Sequence, residues 1–264
     1  MSGLFEGSTV LITGAGGGFG GAAARRYAAE GANLVLSDYK AQALQMTVDQ
    51  VNQETGAEIA FLAGDVADES LSEQLVSLAL ERFGRLDVAL NNAGIVQDGF
   101  TKLPKIGSEE ARHVIDVDLL GVFYALKHQL PAMENQFRTT GQGGVIVNVA
   151  SVAGVTGASG LSVYAAAKHG VVGLTRSVAQ EYARLGVRIN AVCPSFARTP
   201  MATSQLGQNV RGKVLTEEQM VRGIPMARLA EVDEIVEVFV FASSPHNSFM
   251  TGQTLHVDGG LTGY

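Results

Sequence analysis

The feature that most limits what this chain can fold into is an alternation. Short apolar runs rich in β-branched residues recur at about 9–13, 33–37, 58–63, 86–90, 144–149, 187–192 and 254–257. Longer amphipathic stretches fill the intervals at about 18–30, 40–54, 69–83, 108–135, 162–185 and 231–242. The runs have strand length, and the stretches between them repeat with helical period. Regular strand–helix alternation implies parallel strands joined by right-handed crossovers, and strands this apolar require helices on both faces of the sheet. The chain is therefore predicted to form one doubly wound α/β domain over residues 1–264 with about seven strands. Residues 196–225 break the pattern, mixing Pro200, Gly207, Gly212 and Pro225 with polar residues, and are read as a loop or lid over a substrate.

Composition narrows the function classes. With 264 residues, 46% of them hydrophobic, the chain can bury a substantial core and is not disordered. Nineteen Lys plus Arg against 26 Asp plus Glu leave a net charge of −7, which argues against nucleic acid or anionic membrane as partner. Cys193 is the single cysteine, so neither an intramolecular disulfide nor a cysteine-based zinc site is expected, and no metal is predicted. The first residues carry no cationic region, and Val10-Leu11-Ile12 is too short for an export signal. The expected compartment is the cytoplasm.

After the first predicted strand comes Thr13-Gly14-Ala15-Gly16-Gly17-Gly18-Phe19-Gly20, with a helix beginning inside it. Glycines here let backbone N–H groups approach a pyrophosphate at the helix amino terminus. Gly14-x-x-x-Gly18-x-Gly20 is the informative spacing. The second strand ends at Asp38, placed to accept hydrogen bonds from an adenosine ribose and to repel a 2′-phosphate. These residues predict NAD as cofactor and disfavour NADP, although Lys40 sits close enough to temper the repulsion.

Tyr164-Ala165-Ala166-Ala167-Lys168 places a phenol and an ammonium one helical turn apart. A neighbouring cation favours the phenolate, so the Tyr164 pKa is expected to fall toward the working pH, where the group both takes and gives a proton. Thirteen residues upstream, Ser151 ends an apolar strand and is placed to orient a carbonyl oxygen.

Together, Thr13-Gly14 to Gly20, Asp65-Val66, Asn91-Asn92-Ala93-Gly94, Ser151, Tyr164 to Lys168, and Pro194 with Thr199 resemble the short-chain dehydrogenase/reductase family, and the likeness spans nearly the whole chain. The resemblance implies a Rossmann-like sheet, with Tyr164 exchanging the substrate proton, Ser151 holding the substrate oxygen, and Lys168 binding the nicotinamide ribose while lowering the Tyr164 pKa. It implies cofactor contacts from Gly14, Gly17, Gly18, Phe19 and Gly20, from Asp65 and Val66 at the adenine, and from Asn92, Ala93 and Gly94 along the trough. It further implies that the segment from Pro194 through Phe196 to Thr199 holds the carboxamide. Two residues depart from the family pattern. Asp118 stands where the family usually has Asn, a residue that supports a proton relay to the lysine; an anion there is expected to pair with Lys168 and partly offset its pull on Tyr164. Ser195 follows Pro194 where glycine is common, and only a slight change of cofactor fit is expected.

The expected substrate wall is apolar: Val152, Ala153, Val155 and Leu161 from one side, Phe196, Met201 and Leu206 from the lid. It suits a hydrophobic secondary alcohol or ketone, cyclic, aromatic or steroid-like, with Arg198, Arg211 and Lys213 as cations that a moving lid would bring in. Two other readings stand beside this one, an NADPH-dependent 3-oxoacyl thioester reductase of the same family and a nucleotide-sensing regulator that has lost its chemistry. Leu119, Leu120, Val122, Phe123 and Leu126 exceed what one core is expected to absorb, and the resemblance implies a homodimer or homotetramer through such helices, with residues 255–264 near a second interface.

Overall fold

Strand β1 (Thr9–Thr13) is buried along its whole length, and the reason is alternation across a covered sheet. Val10 and Ile12 point into one hydrophobic core and Leu11 into another. The same division holds for Leu34 and Leu36 against Val35 on β2 (Asn33–Asp38), and for Val88 and Leu90 against Ala89 on β4 (Val88–Asn91). A strand apolar on both faces demands a helix layer on each side. The computed structural model describes residues 3–207, 209–210 and 213–263. With β3 (Ile59–Ala63), β5 (Val145–Val149), β6 (Arg188–Pro194) and β9 (Thr254–Val257), these strands form a seven-stranded sheet of order β3-β2-β1-β4-β5-β6-β9. Every neighbouring pair is parallel.

One face carries α1 (Gly18–Ala29), α2 (Ala41–Thr55) and α9 (Val232–Ser243). The other carries α3 (Glu69–Phe83), α5 (Gly121–Thr140) and α6 (Ser162–Tyr182). The Rossmann-like doubly wound architecture read from the sequence is the one observed.

The stretch expected as one helix over 108–135 is three pieces: α4 (Ser108–Ile115), a π-helical turn over Asp116–Leu120, and α5, which runs on to Thr140. In the π turn the Gly121 N–H reaches back to the Asp116 carbonyl, a wide turn that shifts side-chain direction and often marks functional sites. Val122 and Leu126, expected to be surplus to the core, are buried within it, whereas Phe123 remains 43% exposed. The covering helices α3 and α6 accommodate more of this surface than its composition suggested.

The segment 196–225 is not a structureless loop. It contains α7 (Pro200–Thr203), the antiparallel pair β7 (Asn209–Val210) and β8 (Lys213–Val214), and α8 (Glu217–Val221) with a Thr216/Gln219 capping box. Ala202, Met220, Val221, Ile224 and Leu229 form its own small core. Elements this short span barely one period, so the pattern by which a helix or strand is recognised never repeats. Among the described residues no helix is long and apolar enough to cross a membrane.

Candidate active site

The chain reverses direction of strand addition between β1 and β4, and a cleft of about 1050 Å³ opens at the carboxyl ends of β1, β2, β4, β5 and β6. Open parallel sheets bind ligands at such a reversal. Of the expected cofactor residues, Gly14, Gly17, Gly18, Phe19, Asp38, Asp65, Val66, Asn92, Ala93, Gly94, Tyr164, Lys168, Pro194, Phe196 and Thr199 all line it. Gly20 does not. A Cβ there would strike the Gly14 carbonyl, so Gly20 acts by letting α1 pack onto the turn.

The turn itself is held from β4. The Thr13 hydroxyl accepts the N–H groups of Asn92 and Ala93, both at 3.1 Å, and the Asn92 amide donates to the Thr13 carbonyl at 3.0 Å. Gly14 has φ 68°, and a Cβ on it would sit 2.8 Å from the Asn92 amide nitrogen. No side chain caps the start of α1 at Gly17, which leaves the first-turn N–H groups directed at whatever anion enters the cleft. The Asp38 carboxylate is held by the N–H groups of Gly16 and Lys40, each at 2.8 Å. A Cβ at Gly16 would lie 2.8 Å from that carboxyl carbon. An uncapped helix start, a cradle that side chains would fill and a carboxylate fixed beside it fit a dinucleotide.

At the other end of the cleft the chemistry is carried by side chains. Ser151 follows β5 by two residues and caps a 3-10 turn (Val152–Gly154), its hydroxyl accepting the Ala153 N–H at 3.1 Å. Gly154 permits that turn to lie against the Lys168 backbone, since a Cβ would come within 2.7 Å of the Lys168 carbonyl. Tyr164 lies in the first turn of α6, and the Lys168 ammonium stands 5.6 Å from its ring centre. The ammonium donates to the Val149 carbonyl at 3.2 Å and lies 3.5 Å from Asp118. Asp118 is fully buried in the π turn and does not line the cleft; its Oδ1 accepts the Ile95 N–H at 2.7 Å. The expected pairing with Lys168 is observed.

The expected fall in the Tyr164 pKa is corrected by the structure. Burial pushes the phenol up, Lys168 pulls it down, Asp118 pushes it up again and the nearby Ser151 hydroxyl lowers it, with a net rise. For Lys168, burial favours the neutral amine, but the anionic partners Asp118 and Tyr164 more than compensate and its pKa is raised. The sequence supplies the lysine's sign but not the burial that opposes it.

Several wall residues are also corrected. Val152, Ala153, Leu161, Phe196 and Met201 line the cleft, but Val155 packs against the sheet core and Leu206 belongs to the small core under the roof. Arg198 is tied to Glu217 at 2.7 Å and to Glu231 at 3.1 Å rather than poised over the cleft. Arg211 and the Lys213 side chain lie outside the described residues. Ser195 lines the cleft with its N–H bonded to the Val257 carbonyl at 3.1 Å.

Two residues escaped the sequence reading. Buried Gln97 accepts the N–H groups of Val163 at 3.2 Å and Tyr164 at 3.4 Å and donates to the Gly160 carbonyl at 3.1 Å, capping α6 from a distant loop. His113 on α4 lines the cleft. No sequence signal marks either, because their partners are brought together only by the fold.

A family profile described as Enoyl-(Acyl carrier protein) reductase matches residues 14–262. A cyclohexanol dehydrogenase from Acinetobacter sp. (strain SE19) is 38% identical over 99% of this chain and 98% of its own. A levodione reductase from Leifsonia aquatica is 39% identical over 97% of this chain and 94% of its own. The crystal structure of levodione reductase superposes with TM-score 0.90 at 38% identity, covering 98% of this chain and 100% of that one. A single-substitution variant of actinorhodin polyketide ketoreductase with NADPH gives TM-score 0.90 at 32% identity, with both chains covered in full. A 3-ketoacyl-(acyl-carrier-protein) reductase from Brucella melitensis complexed with NADH gives 0.87 at 30%, covering 98% of this chain and 99% of that one. With the Tyr164/Lys168 pair and the glycine cradle facing one cleft, these likenesses make the protein a member of the short-chain dehydrogenase/reductase family and an oxidoreductase.

Proposed function

We propose that the protein is an NAD(H)-dependent oxidoreductase that interconverts a hydrophobic, cyclic secondary alcohol and its ketone. The observation that carries this is the meeting of Tyr164, Lys168 and Ser151 at one end of the cleft whose other end holds the glycine cradle and Asp38. The bound nicotinamide supplies the hydride acceptor or donor. Ser151 donates its hydroxyl hydrogen to the substrate oxygen. Tyr164 takes the alcohol proton in oxidation and returns it in reduction, and Lys168 stabilises the phenolate and reaches the nicotinamide ribose. Asp38, held by two backbone N–H groups, accepts the adenosine ribose hydroxyls and repels a 2′-phosphate.

Val96, Phe100, Val117, Leu161, Phe196 and Met201 give the cleft an apolar lining, in keeping with relatives that act on cyclohexanol and levodione. No arginine lines it among the described residues, which disfavours substrates that need a carboxylate clamp. The same reading includes a cytoplasmic homodimer or homotetramer, built in part through the α5 face that leaves Phe123 exposed. The NADPH-linked 3-oxoacyl thioester reductase is the second reading, favoured by the likeness to the Brucella melitensis 3-ketoacyl-(acyl-carrier-protein) reductase and by Lys40 at the cleft. Initial rates on cyclic secondary alcohols and on 3-oxoacyl thioesters, each with both nucleotides, decide between them. Turnover with NAD⁺ at least tenfold faster than with NADP⁺ supports the proposal; the opposite preference, with turnover confined to acyl thioesters, establishes the rival.

A further inference from the structure

Asp118 is a buried carboxyl that does not line the cleft. Its two oxygens have different surroundings. Oδ1 accepts the Ile95 N–H at 2.7 Å, whereas Oδ2 has no hydrogen-bond partner and lies 3.5 Å from the Lys168 ammonium. A protonated carboxyl would place its hydrogen on an oxygen with no acceptor in reach and leave the ammonium facing a neutral group. The ionised form instead accepts the N–H at one oxygen and meets the cation at the other. Room for this contact is left by Gly94, where a Cβ would lie 3.1 Å from Lys168 Nζ and 3.3 Å from Asp118 Oδ1. An asparagine would preserve the shape and remove the charge.

We propose that Asp118 is the counter-ion of Lys168, a positioning residue that shares the ammonium with Tyr164 and thereby sets the proton exchange of Tyr164 at a more alkaline pH than an asparagine would. The inference rests on Tyr164 being the proton-exchanging group of the proposed function. From α6, Lys168 and Tyr164 face the carboxylate; from α4, His113 adds a positive charge when protonated, which favours ionised Asp118. From β5 the Val149 carbonyl holds the ammonium. From β6 the Cys193 thiol, which burial pushes up to about 11, favours the charged Lys168 and opposes the Tyr164 phenolate once it ionises. Burial opposes ionisation of Asp118 most strongly, while Lys168 and then the Ile95 N–H favour it, and its carboxyl stands above the usual range. As pH falls through that raised value the carboxyl protonates and Lys168 acts on Tyr164 alone.

The test is Asp118→Asn, read in two ways. The chain has six tyrosines and no tryptophan, so phenolate absorbance can be titrated without indole background, and subtracting the corresponding Tyr164→Phe protein isolates the Tyr164 step without any cofactor. The expected result is a Tyr164 step moved to lower pH by about one unit, the size expected of one charge removed several ångströms away at an intermediate dielectric. The alkaline-rising limb of alcohol oxidation moves with it, giving about tenfold faster oxidation at a pH below the limb. Asp118→Ser, which also removes the charge with a smaller side chain, should move both readouts the same way. A step that stays where it is in the parent protein, or moves alkaline, overturns the inference. Absence of turnover in the parent protein together with a shifted phenol step would sink the proposed function and leave the counter-ion standing.

Discussion

The nucleotide end of the cleft is made of backbone and its reactive end of side chains, and the two tolerate change differently. At the glycine turn the ligand-facing groups are main-chain N–H donors, fixed by φ values and by the Thr13 and Asn92 clamp. A change there is felt as collision. At the Tyr164 end the groups are a phenol, an ammonium and a carboxylate whose proton affinities are set by burial against one another. A change there is felt as a shift in pH response while the shape survives.

The contrast is broken most forcefully at Gly14. Gly14→Ala adds a Cβ 2.8 Å from the Asn92 amide nitrogen and 2.9 Å from the Ala93 Cα, at φ 68°. It should destabilise the fold by roughly 2–4 kcal/mol, the sum of left-handed strain and overpacking, and lower NADH affinity more than tenfold. Thermal unfolding and nucleotide fluorescence titration report the two effects. Unchanged nucleotide binding would mean the turn is not the phosphate cradle.

At Asp38 the backbone end depends on a charge. Asp38→Ala removes both the acceptor for ribose hydroxyls and the repulsion of a 2′-phosphate, and should move the NADP⁺/NAD⁺ ratio of kcat/KM upward by about tenfold to a hundredfold. A ratio that does not move would dissociate Asp38 from nucleotide choice. The gentlest probe is Gln97→Ala. It leaves the Val163 and Tyr164 N–H groups without their side-chain acceptor, and should lower stability by about 1–2 kcal/mol. It should also depress kcat severalfold with little change in nucleotide affinity, because only the reactive end is loosened. A loss confined to nucleotide affinity would contradict that division.

The same division explains what could be read from the residues alone. The five inner strands are legible because both faces of each are covered, as Val10, Leu11 and Ile12 illustrate, and the partly exposed edge strands β3 and β9 are legible from their apolar β-branched and aromatic residues. The cradle is legible because glycine is the residue that its conformations require. The π turn at Asp116–Leu120 was hidden, since a local widening leaves the apolar pattern of a long helix almost intact. The short elements between Pro200 and Val221 are too brief for their period to repeat. At the reactive end, Tyr164, Lys168, Ser151 and the anomaly of Asp118 were all visible by type. The net direction of the Tyr164 shift was not, because desolvation depends on what packs around the ring. Gln97 reaches its partners across more than sixty residues of sequence, and nothing local announces it.

The central claim is that the phenol of Tyr164 is the proton-exchanging group beside a bound dinucleotide. Tyr164→Phe removes one oxygen and keeps the ring. Turnover of a cyclic secondary alcohol should fall by about a hundredfold to ten-thousandfold, while NADH titrated by fluorescence binds within about twofold of the parent protein. Turnover close to that of the parent protein would contradict the account.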